Sequence, residues 1–467
     1  MPPKVRVRFA PSPTGLFHIG SARTALFNWL YAKKEGGVFV LLVEDTDTER
    51  SKPEFEEDLK MGMEWLGFQW DEFYKQSERT EIYEKHLRKL LDENKLYYCF
   101  CSKEDLEAER QAMTVAGVPP KYSGRCSNLS QEEVADKMAK NSPHVLRFRV
   151  VSKIITVKDM IRGLVKFDTG LMGDLIVAKD LNQPLYNFTV VVDDAVMDIT
   201  HVIRGEDHLS NTPKQILIAE ALGFDSPEFA HLPMILNPDR SKMSKRFSDT
   251  SLTDYINQGY LKEAVINFLA YLGWHPKEDK EVMTINELVE EFDLKRIQKG
   301  GAVFNSEKLD WLNSYYLGKL TNKEFVDFSK KFLPEEWKLT EAMAVSVRAR
   351  TKKIADLREL VDFYFELPGY EAELLRWKEM EAAQVVHNLN EVKSALMDIT
   401  DGDFKALKLE AMLNSVIDQT KRGEFFWPLR VALSGKKTSP GPFEIMEALS
   451  KAESLRRIDI ALNKCGK

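Results

Sequence analysis

The sequence predicts an α/β protein whose C-terminal third is entirely helical. Near the start, Lys4–Phe9 alternates apolar and basic residues, which is typical of a strand. Apolar residues then recur at helical spacing until Gly36-Gly37, and the apolar run Val38–Val43 predicts a second strand. After about residue 322, nearly every segment has helical periodicity, and Gly and Pro occur only at breaks. The chain therefore opens as β-loop-α-β and ends as a helical region.

Composition limits the function classes. The 467 residues carry a net charge of −7, and 43% of them are hydrophobic, as in an ordinary globular enzyme of two to four domains. No apolar run reaches membrane-spanning length, and Met1-Pro2-Pro3-Lys4 leads straight into a strand, so we expect neither a membrane segment nor a targeting peptide. Four cysteines are too few for a disulfide framework. A cytoplasmic location is expected.

The first strand and the first helix are joined by a turn, Pro11–Ser21, that is rich in Pro, Ser and Gly and contains His18. At a helix N-terminus, backbone N–H groups and the positive end of the helix dipole face an anion, and Gly20 allows the anion to approach closely. A phosphate site fits this turn. By itself, the segment is equally consistent with an ordinary βα turn whose histidine caps the helix.

The sheet is expected to be interrupted. After a helix rich in Glu and Lys, residues 99–186 have mixed character with the short β-type runs Val145–Val151 and Ile154–Val157. The run Thr189–Val192 is predicted as a strand that resumes the sheet and ends at Asp193-Asp194. Thr212-Pro213 then opens a helix that Gly223 closes.

A second motif far downstream indicates what kind of site the turn belongs to. Lys242-Met243-Ser244-Lys245-Arg246 follows Asn237–Ser241 and, alone, is typical of a solvated loop. Together the two motifs resemble the HIGH and KMSKS elements of class I aminoacyl-tRNA synthetases. Three longer segments narrow the resemblance to the bacterial-type glutamyl-tRNA synthetases: Arg8–Gly15, Val43–Asp47 and Val202–His208. It is dense over residues 4–320 and returns at 425–443; Arg246, in place of the family's Ser, is a common departure.

The resemblance implies a fold and a domain order. A Rossmann-type nucleotide-binding domain is expected at 1–98 and 187–249, interrupted by an acceptor-stem-binding insertion at 99–186. A stem-contact helical domain at 250–321 and a helical anticodon-binding domain at 322–467 are expected to follow. The helical spacing of Leu374–Ile399 and Phe404–Ile417 favours the glutamyl branch, because the glutaminyl enzymes end in β-barrels.

The reaction that the resemblance implies needs positioning and electrostatics rather than a nucleophilic side chain. The carboxylate of glutamate attacks the α-phosphorus of ATP, pyrophosphate leaves, and a terminal ribose hydroxyl of tRNA-Glu then attacks the mixed anhydride. Preset donors around the phosphate oxygens lower such a barrier, and Mg²⁺ accompanies the ATP. The expected catalytic residues are His18, Lys242 and Lys245, and the expected ATP-binding set is Pro11, Ser12, Thr14, Gly15, His18, Gly20, Ser21, Lys242, Met243, Ser244, Lys245 and Arg246.

Two arginines are candidates for recognising L-glutamate, because the planar guanidinium fork matches a carboxylate. Arg8 and Arg204 both fall at strand ends, where an open α/β sheet gathers its ligands. For each, the alternative is an ordinary ion pair. The full glutamate-binding set that the resemblance implies is Arg8, Ala10, Ser12, Glu44, Tyr186 and Arg204.

A structural Zn²⁺ is a further expectation. Cys99 and Cys101 are followed by Cys126, and three cysteines close in sequence suit a tetrahedral zinc site. Many relatives supply a fourth, histidine ligand where this chain has Asn128; Tyr122 is an alternative that some proteins resembling the family use. The other interpretation is that the cysteines are small buried packing residues.

The net charge neither supports nor excludes a tRNA partner, because phosphate contacts depend on where the basic residues lie. Aligned on the family, Arg350 matches an arginine that in some relatives contacts the anticodon and is associated with charging only tRNA-Glu; the alternative is a solvated helix end. Arg430 is the second anticodon candidate. A monomer without a membrane partner is expected.

Other functions fit less well. A catalytically idle tRNA-binding homologue would be expected to lose His18 or Lys245, and both are present. A small-molecule nucleotidylyltransferase would have no use for the long helical region after residue 322. The shorter paralogue that modifies a tRNA base resembles the catalytic half alone.

Overall fold

The structure is a computed structural model that describes residues 4–47, 49–241, 243 and 251–466, without the side chain of Gln419. It divides into two compact units, Met1–Asp254 with Ile266–Ser306, and Tyr255–Val265 with Glu307–Lys467. The elements up to residue 250 are β1 Arg6–Phe9, α1 Ile19–Lys34, β2 Val38–Val43, α2 Pro53–Leu66, β3 Glu72–Lys75, α3 Thr80–Asp92, β4 Leu96–Cys99, α4 Lys103–Val115, α5 Gln131–Ala139, β5 Val145–Phe148, β6 Ile154–Asp159, β7 Gly163–Asp168, β8 Leu175–Ala178, α6 Tyr186–Val196, β9 His201–Gly205, α7 Thr212–Leu222, β10 Glu228–Leu232 and β11 Ile235–Leu236.

A seven-stranded sheet forms the framework of the first unit, in the order β3-β2-β1-β9-β10-β6-β7. All neighbours are parallel except β6 and β7, which form an antiparallel hairpin at one edge. The chain leaves β1 for β2 on one side and reaches β9 on the other. A parallel sheet gathers ligands at the carboxyl ends of its strands, where the order reverses, which places the expected site beyond β1 and β9.

The predicted opening is confirmed. The strand β1, the helix α1 and the strand β2 occupy the expected segments, and the apolar run Val38–Val43 reads as a continuous stretch because it is buried inside the parallel sheet. The helix α7 begins at Thr212 and ends before Gly223, whose φ of 77° is the left-handed conformation that glycine adopts most readily.

The predicted strand at Thr189–Val192 is wrong. These residues lie within the helix α6, and the sheet resumes only with β9. Residues 188–194 are buried without interruption, because the helix packs against α3, α7 and β8. A helix that is covered on all sides shows no 3.6-residue polarity period, so its β-branched residues had been interpreted as a strand.

The segment between residues 99 and 186 is divided between two sheets. The strands β4, β5 and β8 form a separate three-stranded antiparallel sheet. The hairpin of β6 and β7 instead extends the main sheet, next to β10. The predicted insertion thus contributes strands to the main sheet as well as a layer of its own.

After residue 250, the described regular elements are helices except for the short strand β12, which pairs with β11. In the second unit, residues such as Phe325, Phe363, Leu389 and Leu429 form a single fully buried core. No helix in the described residues is both long and apolar enough to cross a bilayer. The elements after residue 250 are α8 Leu252–Asn257, α9 Lys262–Tyr271, α10 Ile285–Glu291, β12 Ala302–Val303, α11 Ser306–Lys319, α12 Asn322–Ser329, α13 Glu341–Arg348, α14 Leu357–Phe365, α15 Ala382–Asp398, α16 Ala406–Val416, α17 Arg422–Ser434, α18 Pro442–Leu449 and α19 Lys451–Cys465.

Candidate functional site

A cavity of about 730 Å³ opens beyond the carboxyl ends of β1, β9 and β10. Its walls come from the turn before α1 and from the ends of these strands, as expected for an open parallel sheet. Every predicted ATP or glutamate residue that the structure describes lies on these walls: Arg8, Ala10, Pro11, Ser12, Thr14, Gly15, His18, Gly20, Ser21, Glu44, Tyr186, Arg204 and Met243.

His18 is the N-cap of α1 and faces this cavity. Its Nδ1 accepts a hydrogen bond of 3.2 Å from the backbone N–H of Ser21. Because a backbone N–H only donates, a neutral His18 carries its proton on Nε2, which lies 3.1 Å from the Ser21 hydroxyl. A Cβ at Gly20 would lie 3.0 Å from Cε1 of His18, so glycine keeps the imidazole beside the helix end. The turn therefore presents a side-chain donor together with the N-terminus of α1.

Arg8 and Arg204 have different surroundings although both are buried. Arg8 is paired with Asp194, with 2.8 Å between Nε and Oδ1. In the described part of the chain, Arg204 has only neutral partners: its Nη2 donates to Thr212 and Gln215 and its Nε to His231. Among the described residues, no carboxylate lies within ion-pair distance of Arg204, which is 6% exposed. Burial lowers the pKa of Arg204, since a charge without an anionic partner is poorly stabilised there.

Glu44 lies on the cavity wall near Arg8. Burial, with a smaller contribution from the carboxylates of Asp193 and Asp194, raises its pKa to about 8, and the nearby Arg8 only partly opposes this. The Ser12 hydroxyl donates to Oε2 of Glu44 over 3.4 Å. A cation that enters the cavity beside Glu44 would favour the charged carboxylate. This wall is thus suited to an ammonium group.

Tyr186 lies on the cavity wall and contacts His208 and Arg204. Its hydroxyl lies 2.9 Å from Nδ1 of His208 and accepts a long hydrogen bond of 3.5 Å from Nη1 of Arg204. Burial raises the pKa of Tyr186 to about 12, so the phenol stays protonated. The neutral Tyr186 hydroxyl can therefore both donate and accept hydrogen bonds in the cavity.

Several residues that contact these side chains are not among the predicted site residues. Asp194, predicted at a strand end, instead neutralises Arg8 from the helix α6. Thr212 and Gln215 lie one turn apart at the start of α7, at a spacing that places both on one helix face. The sequence spacing of Thr212 and Gln215 could therefore have indicated that they act together. No sequence pattern indicates His231, because it lies on a different strand and contacts Arg204 only in the folded chain.

The lysine-rich motif is described only at Met243. Its N–H donates to the carbonyl of Ile235 over 3.2 Å, and Met243 lines the cavity. Upstream, Asn237 and Ser241 close a turn in which the Ser241 N–H donates to Asp239. The predicted residues Lys242, Ser244, Lys245 and Arg246 lie outside the described residues.

Four potential metal ligands come together on the small sheet. The sulfur atoms of Cys99, Cys101 and Cys126 lie within 4.8 Å of one another. The Tyr122 hydroxyl lies 3.3 Å from the sulfur of Cys99 and 3.5 Å from that of Cys101, which is 3.5 Å from the sulfur of Cys126. Thiolates bound to one zinc at about 2.3 Å lie slightly less than 4 Å apart, so the spacing fits one such ion.

In the second unit, Arg350 is exposed after α13, and Arg430 is on α17. Burial and the positive charge of Arg350 lower the pKa of Arg430, so the two guanidinium groups lie close enough to repel each other. Arg430 also packs 4.7 Å from the ring centre of Trp427. Neither arginine has a carboxylate partner in the part of the chain that is described. A cationic, aromatic surface of this kind is suited to nucleic acid.

Comparisons with known proteins agree along the whole chain. Residues 4–311 match the family model described as tRNA synthetases class I (E and Q), catalytic domain, and residues 321–462 match an anticodon binding domain. Glutamate–tRNA ligase 2 of Thermoanaerobacter pseudethanolicus is 43% identical over 98% of each chain, and glutamate–tRNA ligase of Desulforamulus reducens is 42% identical over 98% of this chain and 99% of its own.

Solved structures show the same similarity. A glutamate tRNA ligase from Elizabethkingia meningosepticum, crystallised in complex with its amino acid, superposes with a TM-score of 0.89 over 99% of each chain at 33% identity. Glutamate-tRNA synthetase from Elizabethkingia anophelis gives 0.88 at the same identity, over 99% of this chain and 100% of its own. The predicted fold class is confirmed, and the chain belongs to the class I aminoacyl-tRNA synthetases, in the branch of the glutamate–tRNA ligases.

Proposed function

We propose that this chain activates L-glutamate with ATP to glutamyl-adenylate and transfers the glutamyl group to the 3′-terminal adenosine of tRNA-Glu, releasing AMP and pyrophosphate. The observation that carries the proposal is Arg204, a buried guanidinium at the cavity wall that meets no carboxylate among the described residues. Glutamate supplies the missing anion, whereas glutamine would leave the charge unpaired. The neighbouring N-terminus of α1 is suited to bind the phosphates of ATP.

In the first step, the α-carboxylate of glutamate attacks the α-phosphorus in line. We assign the donor at Nε2 of His18, with Lys242 and Lys245, to the charge that develops on the phosphate oxygens as pyrophosphate leaves. Pro11, Ser12, Thr14, Gly15, Gly20, Ser21, Met243, Ser244 and Arg246 are proposed to surround the nucleotide. Class I synthetases use ATP with Mg²⁺, which neutralises phosphate charge.

For glutamate, we assign Arg8, Ala10, Ser12, Tyr186 and Arg204 to the carboxyl groups and their surroundings. The buried Glu44 is assigned to the α-ammonium group. Arrival of that cation would favour the ionised form of Glu44, so the substrate completes a charge pair that the cavity lacks by itself.

The other regions are proposed to hold tRNA-Glu. Residues 99–186 would bind the acceptor stem, 250–321 would contact the stem further along, and 322–467 would bind the anticodon. This order follows the matched domains, and the two neighbouring cations, the exposed Arg350 and the half-buried Arg430, support the last assignment. We propose a cytoplasmic monomer.

The function is tested by acylation of purified tRNA-Glu and tRNA-Gln with labelled glutamate and ATP. We expect glutamyl-tRNA-Glu to accumulate, and pyrophosphate exchange to require glutamate together with tRNA. Pyrophosphate exchange with glutamine but not with glutamate would overturn the substrate assignment. A chain that binds tRNA without forming any adenylate would be an idle homologue.

We further propose that Cys99, Cys101, Cys126 and Tyr122 hold one structural Zn²⁺. Protein purified without chelator is expected to contain about one zinc per chain by elemental analysis. Cys126→Ser is expected to lose the metal and to unfold at lower temperature, because structural zinc contributes directly to folding. Cys465→Ser, at a cysteine far from the cluster in sequence, is the matched control and should keep the metal. Freshly folded parent protein without zinc would identify the three cysteines as packing residues.

Arg350 is proposed to help exclude tRNA-Gln. We expect Arg350→Gln to relax discrimination between tRNA-Glu and tRNA-Gln by about 1–3 kcal/mol, the range for a base contact. The measurement is kcat/KM for acylation of both tRNAs. Arg358→Gln, at another exposed arginine, is the control and should leave the ratio unchanged. If Arg350→Gln weakens both tRNAs equally, Arg350 is a phosphate contact and discrimination lies elsewhere.

A further inference from the structure

A buried pair of residues lies directly behind Arg204. His231, on β10, and Asp159, at the end of β6, have fully buried side chains, and Nδ1 of the imidazole lies 2.6 Å from Oδ2 of the carboxylate. The other ring nitrogen, Nε2, lies 3.2 Å from Nε of Arg204. The three side chains thus form a continuous chain, Asp159–His231–Arg204, that leads from the end of β6 to the cavity wall.

The geometry determines the tautomer of His231. A guanidinium N–H only donates, so Nε2 of His231 must accept the hydrogen bond from Arg204. The imidazole proton is therefore on Nδ1 and is donated to Asp159. Burial, together with the charge of Arg204, lowers the pKa of His231 in spite of Asp159, which keeps the ring neutral. A second proton on Nε2 would point at the Arg204 donor and break the contact.

Asp159 is itself held rigidly. Its Oδ1 accepts hydrogen bonds from the backbone N–H groups of Ile161 and Arg162, at 2.9 and 2.7 Å. Its Oδ2 accepts from both the backbone N–H and Nδ1 of His231. Four donors around one carboxylate leave it no freedom to turn, so the imidazole that it orients is also fixed.

The consequence for Arg204 follows from counting its donors. The Nε group is bound to His231, and Nη2 is bound to Thr212 and Gln215 at 2.9 and 2.8 Å. Among the residues that the structure describes, the remaining nitrogen, Nη1, has only the long contact of 3.5 Å to the Tyr186 hydroxyl. Nη1 is therefore the nitrogen left to meet a ligand in the cavity, and its direction depends on the atoms that hold the other two nitrogens.

We propose that Asp159 and His231 are positioning residues that orient Arg204 toward the side-chain carboxylate of glutamate and thereby set the preference for glutamate over glutamine. The proposal rests on the proposed function and names the residues behind its specificity. A guanidinium held in place cannot turn away from a neutral amide, so glutamine meets an unpaired charge. A guanidinium released from His231 could reorient, and the cost of accepting glutamine would fall.

Three variants test this. Asp159→Asn presents an amide N–H to Nδ1 and favours the other tautomer, which places a hydrogen between Nε2 and Arg204. His231→Leu removes the acceptor. His231→Gln is the conservative variant, since its amide oxygen can accept from Arg204 while its N–H donates to Asp159. We expect Asp159→Asn and His231→Leu to lower kcat/KM for glutamate by about 10²-fold, the usual effect of a small misplacement, and His231→Gln to restore most of it.

The readouts separate positioning from stability and from the proposed function. KM for glutamate should rise and the glutamate-to-glutamine ratio should fall in the first two variants, while KM for ATP stays as in the parent. The ¹⁵N shifts of His231 in the labelled full chain should show protonated Nδ1 in the parent and its loss in Asp159→Asn. Equal rises in the KM for ATP and for glutamate, or an unchanged amino-acid ratio in folded variants, would overturn the proposal. If Asp159→Asn does not fold, the comparison of His231→Gln with His231→Leu decides it. A parent that fails to charge tRNA with glutamate would instead refute the proposed function.

Discussion

His18→Ala is expected to lower kcat for glutamate activation by about 10²–10³-fold, the usual cost of removing one preset donor from a developing oxyanion. The backbone N–H of Ser21 fixes the tautomer, so Nε2 carries the proton that a phosphate oxygen can accept. KM for glutamate should change little, because the donor matters most as pyrophosphate leaves. The measurement is tRNA-dependent pyrophosphate exchange at saturating ATP. Lys245→Ala is expected to act on the same step.

The control for this prediction is His18→Asn. Asparagine is a good N-cap, so it keeps the acceptor for the first turn of α1, whereas alanine loses about 1 kcal/mol of capping free energy. Both variants lack the Nε2 donor and should lose the same factor in kcat, but only His18→Ala should also melt at a lower temperature. If His18→Asn turns over at nearly the parent rate, His18 is only a helix cap.

The sequence was sufficient for the parts of the fold that local chemistry determines. The turn before α1, the strand β2 and the closure of α7 at Gly223 each carry a local signal, namely a glycine, a capping residue or a continuous apolar run. Motif resemblance placed the rest of the catalytic region. The helix α6 was missed because burial on every side removes the periodic pattern on which the prediction depends.

The residues that line the site could be predicted from the sequence, but the charged partners of these residues could not. Both arginines were found from their places at strand ends, and both line the cavity. Asp194 neutralises Arg8, whereas Arg204 has no anionic partner among the described residues. This difference depends on α6, α7 and β10, which come together only in the folded chain. The position of the hairpin β6–β7 also depends on the fold, because its pairing with the main sheet places Asp159 next to His231. Contacts across such sequence distances leave no local pattern.

The charge difference between the two arginines leads to the second large prediction. Arg204→Met is expected to lower kcat/KM for glutamate. The loss should correspond to about 2–5 kcal/mol of interaction free energy, the range for truncating one partner of a buried hydrogen-bonded charge pair. The substrate carboxylate would lose its buried cation at the cavity wall. kcat/KM for glutamine should change far less, because glutamine never gained from that charge, so the ratio between the two amino acids should collapse. Acylation kinetics with both amino acids measure it.

Arg6→Met is the matched control, because Arg6 lies on the same sheet and forms a bidentate ion pair with Glu72 at 2.9 Å, outside the cavity. Its loss should affect stability without changing the amino-acid ratio. Arg204→Lys sharpens the test: it keeps the positive charge but has no planar fork to hold His231, Thr212 and a carboxylate together, so we expect only partial recovery. If Arg204→Met keeps the parent's preference for glutamate, the side-chain carboxylate is read elsewhere, and Arg8 would be the candidate, after it exchanges Asp194 for the substrate.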